Sequence, residues 1–119
     1  MSEKERDLKI RTRKFALAII DLFDLLPKGK KAEVIGGQFL RSGTSVGAHY
    51  REGVFSRSNA ESISKLEGAL QELEETAYWL ELSMDAKLLL VETVQPIYDE
   101  AQELIKILST CVLRLKAKR

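Results

Sequence analysis

RSGTSVGAHYREG, residues 41–53, places five glycines and small hydroxyl residues between Arg41 and Arg51. The sequence on either side reads as helix, so this stretch is a ligand loop, a catalytic turn or a place where helices meet closely. A phosphate-cradling loop wants a preceding strand and a following Lys-Ser or Lys-Thr, and neither is here. The glycines instead keep helical spacing: Gly36, Gly43 and Gly47 stand seven and four residues apart, nearly aligned on one helix face. Such a stripe lets another helix approach closely, at about 1 kcal/mol of helix propensity per glycine relative to alanine. Ser42, Thr44, Ser45 and Ala48 keep the neighbouring surface thin. The stretch reads as a packing device inside a helix.

Working outward, two prolines, seven glycines and the lack of any long alternating pattern predict an all-α chain of four helices. The first runs from Ser2, where Ser2 and Glu5 have capping-box spacing, to Leu26 before Pro27. The second spans about Lys31 to Phe55. The third opens on a second capping box, Ser58 with Glu61, and continues to about Asp85. The fourth covers roughly 91–117, with Pro96 either in its first turn or at a kink. Ile63, Leu66, Leu70, Leu73, Ala77, Leu80 and Met84 form one apolar seam at intervals of three and four. Val94, Ile97, Ala101, Leu104, Leu108, Cys111 and Leu115 form another. Short joints make neighbouring helices antiparallel, so the expectation is an up-down-up-down four-helix bundle, one domain over residues 1–119.

The chain carries 19 Lys+Arg against 18 Asp+Glu, which removes the simplest argument for a strongly basic nucleic-acid binder. The distribution is less even: residues 1–57 hold 12 basic and 7 acidic side chains, 58–110 hold 3 and 11, and 111–119 hold 4 and none. Opposite-sign segments attract one another within a bundle or between subunits, or leave a basic patch at one end. Cys111 is the single cysteine, which excludes an intrachain disulfide and fits a reducing compartment. The stretch KIRTRKFALAIIDLFDLL superficially mimics a secretion signal. Asp21 and Asp24 interrupt its apolar run, and no run approaches the roughly 20 residues needed to cross a bilayer. A soluble, cytoplasmic protein with no membrane partner is expected.

Helix 1 is apolar at ten of the twelve positions from Phe15 to Leu26, so it needs partners on more than one side. Tyr78, Trp79 and Leu82 lie off the helix 3 seam and point outward, which suits an oligomer interface. These surpluses predict a homo-oligomer.

Ser45, His49 and Glu52, at i, i+4 and i+7, share a helix face and invite a hydrolase reading. A continuous helix has its backbone N–H groups engaged and offers no oxyanion site, so His49 reads as a polar side chain at a helix surface or interface. A di-iron bundle needs two Glu-x-x-His motifs, and the chain has one histidine. Cys111 reads as a small core residue. No enzymatic activity, metal or cofactor is expected. Arg41 and Arg51 flank the glycine stripe, and Glu67, Glu72, Glu74 and Glu75 on helix 3 offer ion pairs. Alternatively, Lys9, Arg11, Arg13, Lys14, Lys28, Lys30, Lys31 and Arg57 extend a basic surface that contacts phosphates, multiplied by subunit number.

QFLRSGTSVGAHYREG followed by SISKLEGALQELEETAYWLEL resembles the four-helix-bundle proteins of the 23S rRNA intervening-sequence family, specifically across residues 38–83. His49 stands where that family usually shows Asn. The resemblance implies a homopentamer without enzymatic activity. It also implies kinship with the accessory proteins of diversity-generating retroelements, basic pentameric barrels that bind nucleic acid and a reverse transcriptase. On that basis RNA, or a nucleic-acid-processing protein, is the expected partner beside self-association; a protein-only scaffold is the alternative. The residues that carry the resemblance are Arg41, Ser42, Gly43, Thr44, Ser45, Val46, Gly47, Ala48, Tyr50, Arg51 and Glu52, with Tyr78 and Trp79 in the aromatic cluster, and their implied role is packing and assembly.

Overall fold

In the computed structural model, which describes residues 2–118, four helices account for nearly all of the chain: α1 (Glu3–Asp24), α2 (Lys30–Val54), α3 (Asn59–Asp85) and α4 (Val91–Ala117). There is no strand among the described residues, and the arrangement is consistent with a four-helix bundle. Its extents are 47 × 23 × 18 Å; a 27-residue helix alone spans about 40 Å, so each helix runs most of the long axis.

The helix ends follow their local chemistry. Ser2 caps α1 in a complete capping box: its hydroxyl accepts the Glu5 N–H at 3.1 Å, and the Glu5 carboxylate accepts the Ser2 N–H at 2.8 Å. That backbone donor holds the Glu5 carboxyl below its ordinary value. The helix stops at Asp24, two residues earlier than expected, because Pro27 disfavours helical geometry at Leu26. Ser58 caps α3 by accepting the Glu61 N–H at 3.1 Å, but the reciprocal bond is not made, so this box is half formed. Pro96 lies in the second turn of α4, where its missing N–H falls on the solvent-exposed side.

The α3 C-terminus is closed by a Schellman pair: Leu88 N–H donates to the Ser83 carbonyl at 2.9 Å and Lys87 N–H to the Met84 carbonyl at 3.0 Å. The geometry puts Lys87 at φ +60°, a left-handed position that glycine usually fills. Lys87→Gly is therefore expected to raise stability by about 0.5–1 kcal/mol, read as a higher urea midpoint at unchanged slope. An unchanged or lower midpoint would mean that the lysine relieves its own strain.

The helices pack as a ring in chain order. α2 against α3 is the broadest junction, α1–α2 and α3–α4 follow, and α1–α4 is the loosest. Phe15, Ile19, Phe39, Val46, Leu73, Leu80, Leu104 and Leu108 are fully buried in one cluster that draws on all four helices. The strict three-four seams drift from the observed core. Ala69 and Thr76 are buried in α3 whereas Leu70 and Met84 are half-buried; in α4, Val112 is buried and Ile97, Cys111 and Leu115 are half-buried. A straight helix turns about 20° past a heptad seam every seven residues, so the buried line migrates. Cys111, expected in the core, lies at its edge, half-buried and packed against the cluster.

Candidate interaction surface

The 41–53 stretch lies in the middle and C-terminal half of α2, which packs broadly on both sides, and it reaches alternately to α1 and α3. Toward α1, a Cβ on Gly43 would sit 2.8 and 2.9 Å from the two γ-carbons of Ile19, and one on Gly47 would sit 3.3 Å from the Thr12 hydroxyl. The glycine stripe is thus the seat of α1 of the same chain. Gly36 extends it, facing Phe23 and Leu26. Tyr50 is buried, its hydroxyl donating to the Glu5 carbonyl at 3.1 Å, and burial pushes the phenol well above its ordinary value.

Toward α3, Ser42 and Thr76 are both fully buried and their hydroxyls are 2.7 Å apart. Thr76 spends its only proton on the Glu72 carbonyl at 2.7 Å, so Ser42 must be the donor between them. Gly53 accommodates Leu66, and Gly68 of α3 accommodates the His49 ring. His49 Nδ1 is buried without a partner. The Ser45 hydroxyl donates to the Arg41 carbonyl at 2.7 Å, so the suggested Ser45–His49 pairing is not formed.

Charged side chains close the outer edge of the same junction. Arg41 donates to Glu72 at 3.2 Å and to Glu75 at 2.7 Å. Its bond to Glu75 raises the guanidinium and lowers that carboxyl. Lys65 pairs with Glu52 at 2.7 Å, raising the ammonium and lowering the carboxyl. These pairs lie at the solvent-facing edge, where water and salt screen them, and they contribute little to stability.

The expected basic surface is not one patch. Arg11 is spent on Glu100 of α4 through two bonds of 2.8 Å. Arg13 and Arg51 face one another across a shallow groove of about 280 Å³ between α1 and α2, also lined by Thr12, Ala16, Thr44, Gly47 and Ala48. One turn further toward the α2–α3 turn, Lys9 sits 5.9 Å over the exposed ring of Phe55, with Arg57 just beyond in the turn. Lys14 is exposed on α1, and Lys28, Lys30 and Lys31 gather at the α1–α2 turn, roughly 15 Å or more from Lys14 along the axis. Arg13, Arg51, Lys28, Lys30 and Lys31 have no carboxylate within 4.0 Å among the described residues.

Of the expected interface residues, Tyr78 is exposed, whereas Trp79 is half-buried against the core with its indole N–H on Glu75 at 3.3 Å, and Leu82 is half-buried. The two rings pack edge-on at 5.1 Å. The apolar surplus read on helix 1 stands out in space as an exposed face: Ile10, Leu17 and Ile20 are 49%, 52% and 40% exposed on the outer side of α1, and of these only Ile10 lies outside the 15–26 run. The near-continuous apolar run of helix 1 was its sequence signal.

A four-helix, strandless chain whose second helix is thinned by glycine and serine to receive helices on both sides defines a compact class of helical proteins. The profile of the 23S rRNA-intervening sequence protein family matches residues 4–110, and the chain belongs to that family. The fold is also similar, at a TM-score of 0.85 and 37% identity over 92% of this chain and 97% of the other, to a crystal structure at 1.70 Å resolution. That structure is a protein of unknown function from the S23 ribosomal protein family of Bacteroides thetaiotaomicron VPI-5482. No curated protein matches. Neither description names an enzymatic activity. No helix of the described residues is long and apolar enough to cross a membrane.

Proposed function

We propose that this chain is a single-domain, non-enzymatic helical scaffold that assembles into a homo-oligomer and presents lysine-rich ends to RNA. The observation that carries the reading is the Ile10, Leu17 and Ile20 face, left half-exposed on the outside of one subunit. Burying an isoleucine or leucine fully is worth about 1.5–3 kcal/mol, so these three leave roughly 2–4 kcal/mol unrealised in a lone chain. The up-down-up-down arrangement belongs to the same proposal. It is supported by the pairing of helix ends: Asn59 at the start of α3 bonds the Leu115 carbonyl near the end of α4 at 2.8 Å, and Tyr98 near the start of α4 bonds Glu81 near the end of α3 at 2.9 Å.

In that arrangement Lys28, Lys30 and Lys31 share one end of the bundle with Lys87 of the α3–α4 turn. A cyclic assembly repeats this set once per subunit, which is how a chain with a net charge of +1 gathers a cationic surface. The family description ties these proteins to inserts in 23S rRNA, and the proposed kinship with retroelement accessory proteins points to the same ligand class. The pentameric count and a cytoplasmic location are part of the proposal.

Binding of labelled structured RNA at about 50 mM salt is expected to weaken at least about tenfold in Lys28→Ala/Lys30→Ala/Lys31→Ala, with a shallower dependence on salt. Replacing Arg11 alone leaves binding nearly unchanged, because its guanidinium is held by Glu100. If the wild-type chain binds no RNA at that salt, the nucleic-acid part is wrong and the protein-only scaffold stands in its place.

A further inference from the structure

We infer that the groove between α1 and α2 receives the outer ridge of α3 from a second copy of this chain, in a head-to-tail contact. The inference rests on the proposed self-association and names the two surfaces that make it. One surface is the groove itself. Small side chains form its floor, leaving space for an inserted side chain, and Arg13 and Arg51 stand on opposite rims. Neither arginine has a carboxylate within 4.0 Å among the described residues, while Arg11 and Arg41 on the same helices are both engaged. Leu17 adds an exposed apolar shoulder.

The other surface is the line Glu74, Tyr78 and Leu82, spaced at i, i+4 and i+8 and therefore stacked along one face of α3. Glu74 is exposed and makes no ion pair among the described residues, in contrast to Glu72, Glu75 and Glu67 around it. Tyr78, at 52% exposure, is the protruding side chain of that line. A carboxylate next to a projecting aromatic ring complements two free guanidinium groups beside a small-floored groove, both in charge and in relief. The charge of the segments agrees: α1 and α2 carry ten basic and seven acidic side chains, and α3 carries one and seven.

The two surfaces lie on different sides of the subunit, since α3 packs on α2 and α4 and not on α1. Because the two patches lie on different sides of the subunit, one such contact leaves a patch open on each partner; the contact therefore propagates, and it closes as a ring where the rotation between neighbours permits. Each subunit then uses both patches, leaving the ends of the bundles free.

Charge reversal tests the contact. Light scattering of the wild-type chain at micromolar concentration is expected to give a mass several times 13.5 kDa. Glu74→Arg, and separately Arg13→Glu/Arg51→Glu, are expected to shift it to the single-subunit mass with unchanged helical circular dichroism, since all three side chains are exposed. The chain carrying all three changes is expected to reassemble. A second measurement uses Ala48→Cys/Tyr78→Cys in a Cys111→Ser background: oxidation is expected to yield covalent multimers, because those two positions lie on different sides of one subunit. An oligomer that survives both reversals and forms no cross-link overturns this contact while leaving self-association intact, as does loss of assembly that the triple change fails to restore. A wild-type mass of 13.5 kDa overturns both.

Discussion

Gly43→Ala is expected to destabilise the fold by up to about 2 kcal/mol, while Gly37→Ala, six residues earlier in the same helix, stabilises it by about 0.5–1 kcal/mol. The two changes add the same methyl group and gain the same helix propensity, about 1 kcal/mol. They differ only in what the methyl meets. At Gly37 nothing lies within 4 Å, and the position is exposed. At Gly43 the new carbon would stand 2.8 and 2.9 Å from the γ-carbons of Ile19, which is fully buried. Ile19 is β-branched and in a helix has one strongly preferred rotamer, so it cannot step aside without moving α1. Overpacking of this kind costs about 1–3 kcal/mol and exceeds the propensity gain. Urea denaturation reads both effects as opposite shifts in midpoint at a common slope. Truncating the obstacle should reveal the coupling: Ile19→Ala/Gly43→Ala costs less than the two single changes added together. If both alanines raised the midpoint, close α1–α2 contact at Gly43 would be refuted.

Thr76→Val is expected to cost about 1–3 kcal/mol, more than Ser42→Ala at about 1 kcal/mol, although each removes one hydroxyl from the same 2.7 Å contact. The asymmetry comes from the direction of the proton. Thr76 donates to the Glu72 carbonyl and accepts from Ser42. Removing Ser42's hydroxyl leaves Thr76 still donating, with only an acceptor lone pair unfilled. Removing Thr76's hydroxyl leaves the Ser42 O–H buried at 0% exposure without its acceptor, and a buried unsatisfied donor carries its full desolvation cost. Valine keeps the shape of threonine, so no cavity confuses the comparison. The double change Ser42→Ala/Thr76→Val is expected to cost less than the sum of the singles, because neither orphan remains. A Thr76→Val variant as stable as Ser42→Ala would mean that Ser42 turns to another carbonyl.

The helix boundaries were legible because caps and breakers act within a few residues of themselves. Ser2 with Glu5, Ser58 and Pro27 each act on backbone groups one turn away, and the helices start and stop within three residues of where those signals stand. Reading the glycine-rich stretch as a close-packing device also needed only spacing and residue size. What spacing cannot say is which helix fills the hollow. Gly43 and Gly47 face Ile19 and Thr12 of the same subunit because α2 lies between α1 and α3 in the ring, a choice made by all the junctions at once.

The same limit governed the candidate site. Eight of the twelve cations in the first 57 residues formed one candidate surface in sequence, yet in space Arg11 is neutralised by Glu100, eighty-nine positions away, while Arg13 two residues later lines the α1–α2 groove. Two residues along a helix are about 200° around it, so adjacent arginines belong to different surfaces. Likewise Trp79 and Tyr78 look equivalent in sequence, yet Trp79 packs against the core cluster while Tyr78 projects. The amino-acid order on its own determined four helices, their ends, the apolar seams and the small-residue hub in the second of them, since these depend on interactions within a turn or two. The tertiary structure alone decided which charges are spent, which apolar faces stay uncovered and what the glycines receive, since each depends on side chains brought together from helices far apart in the chain.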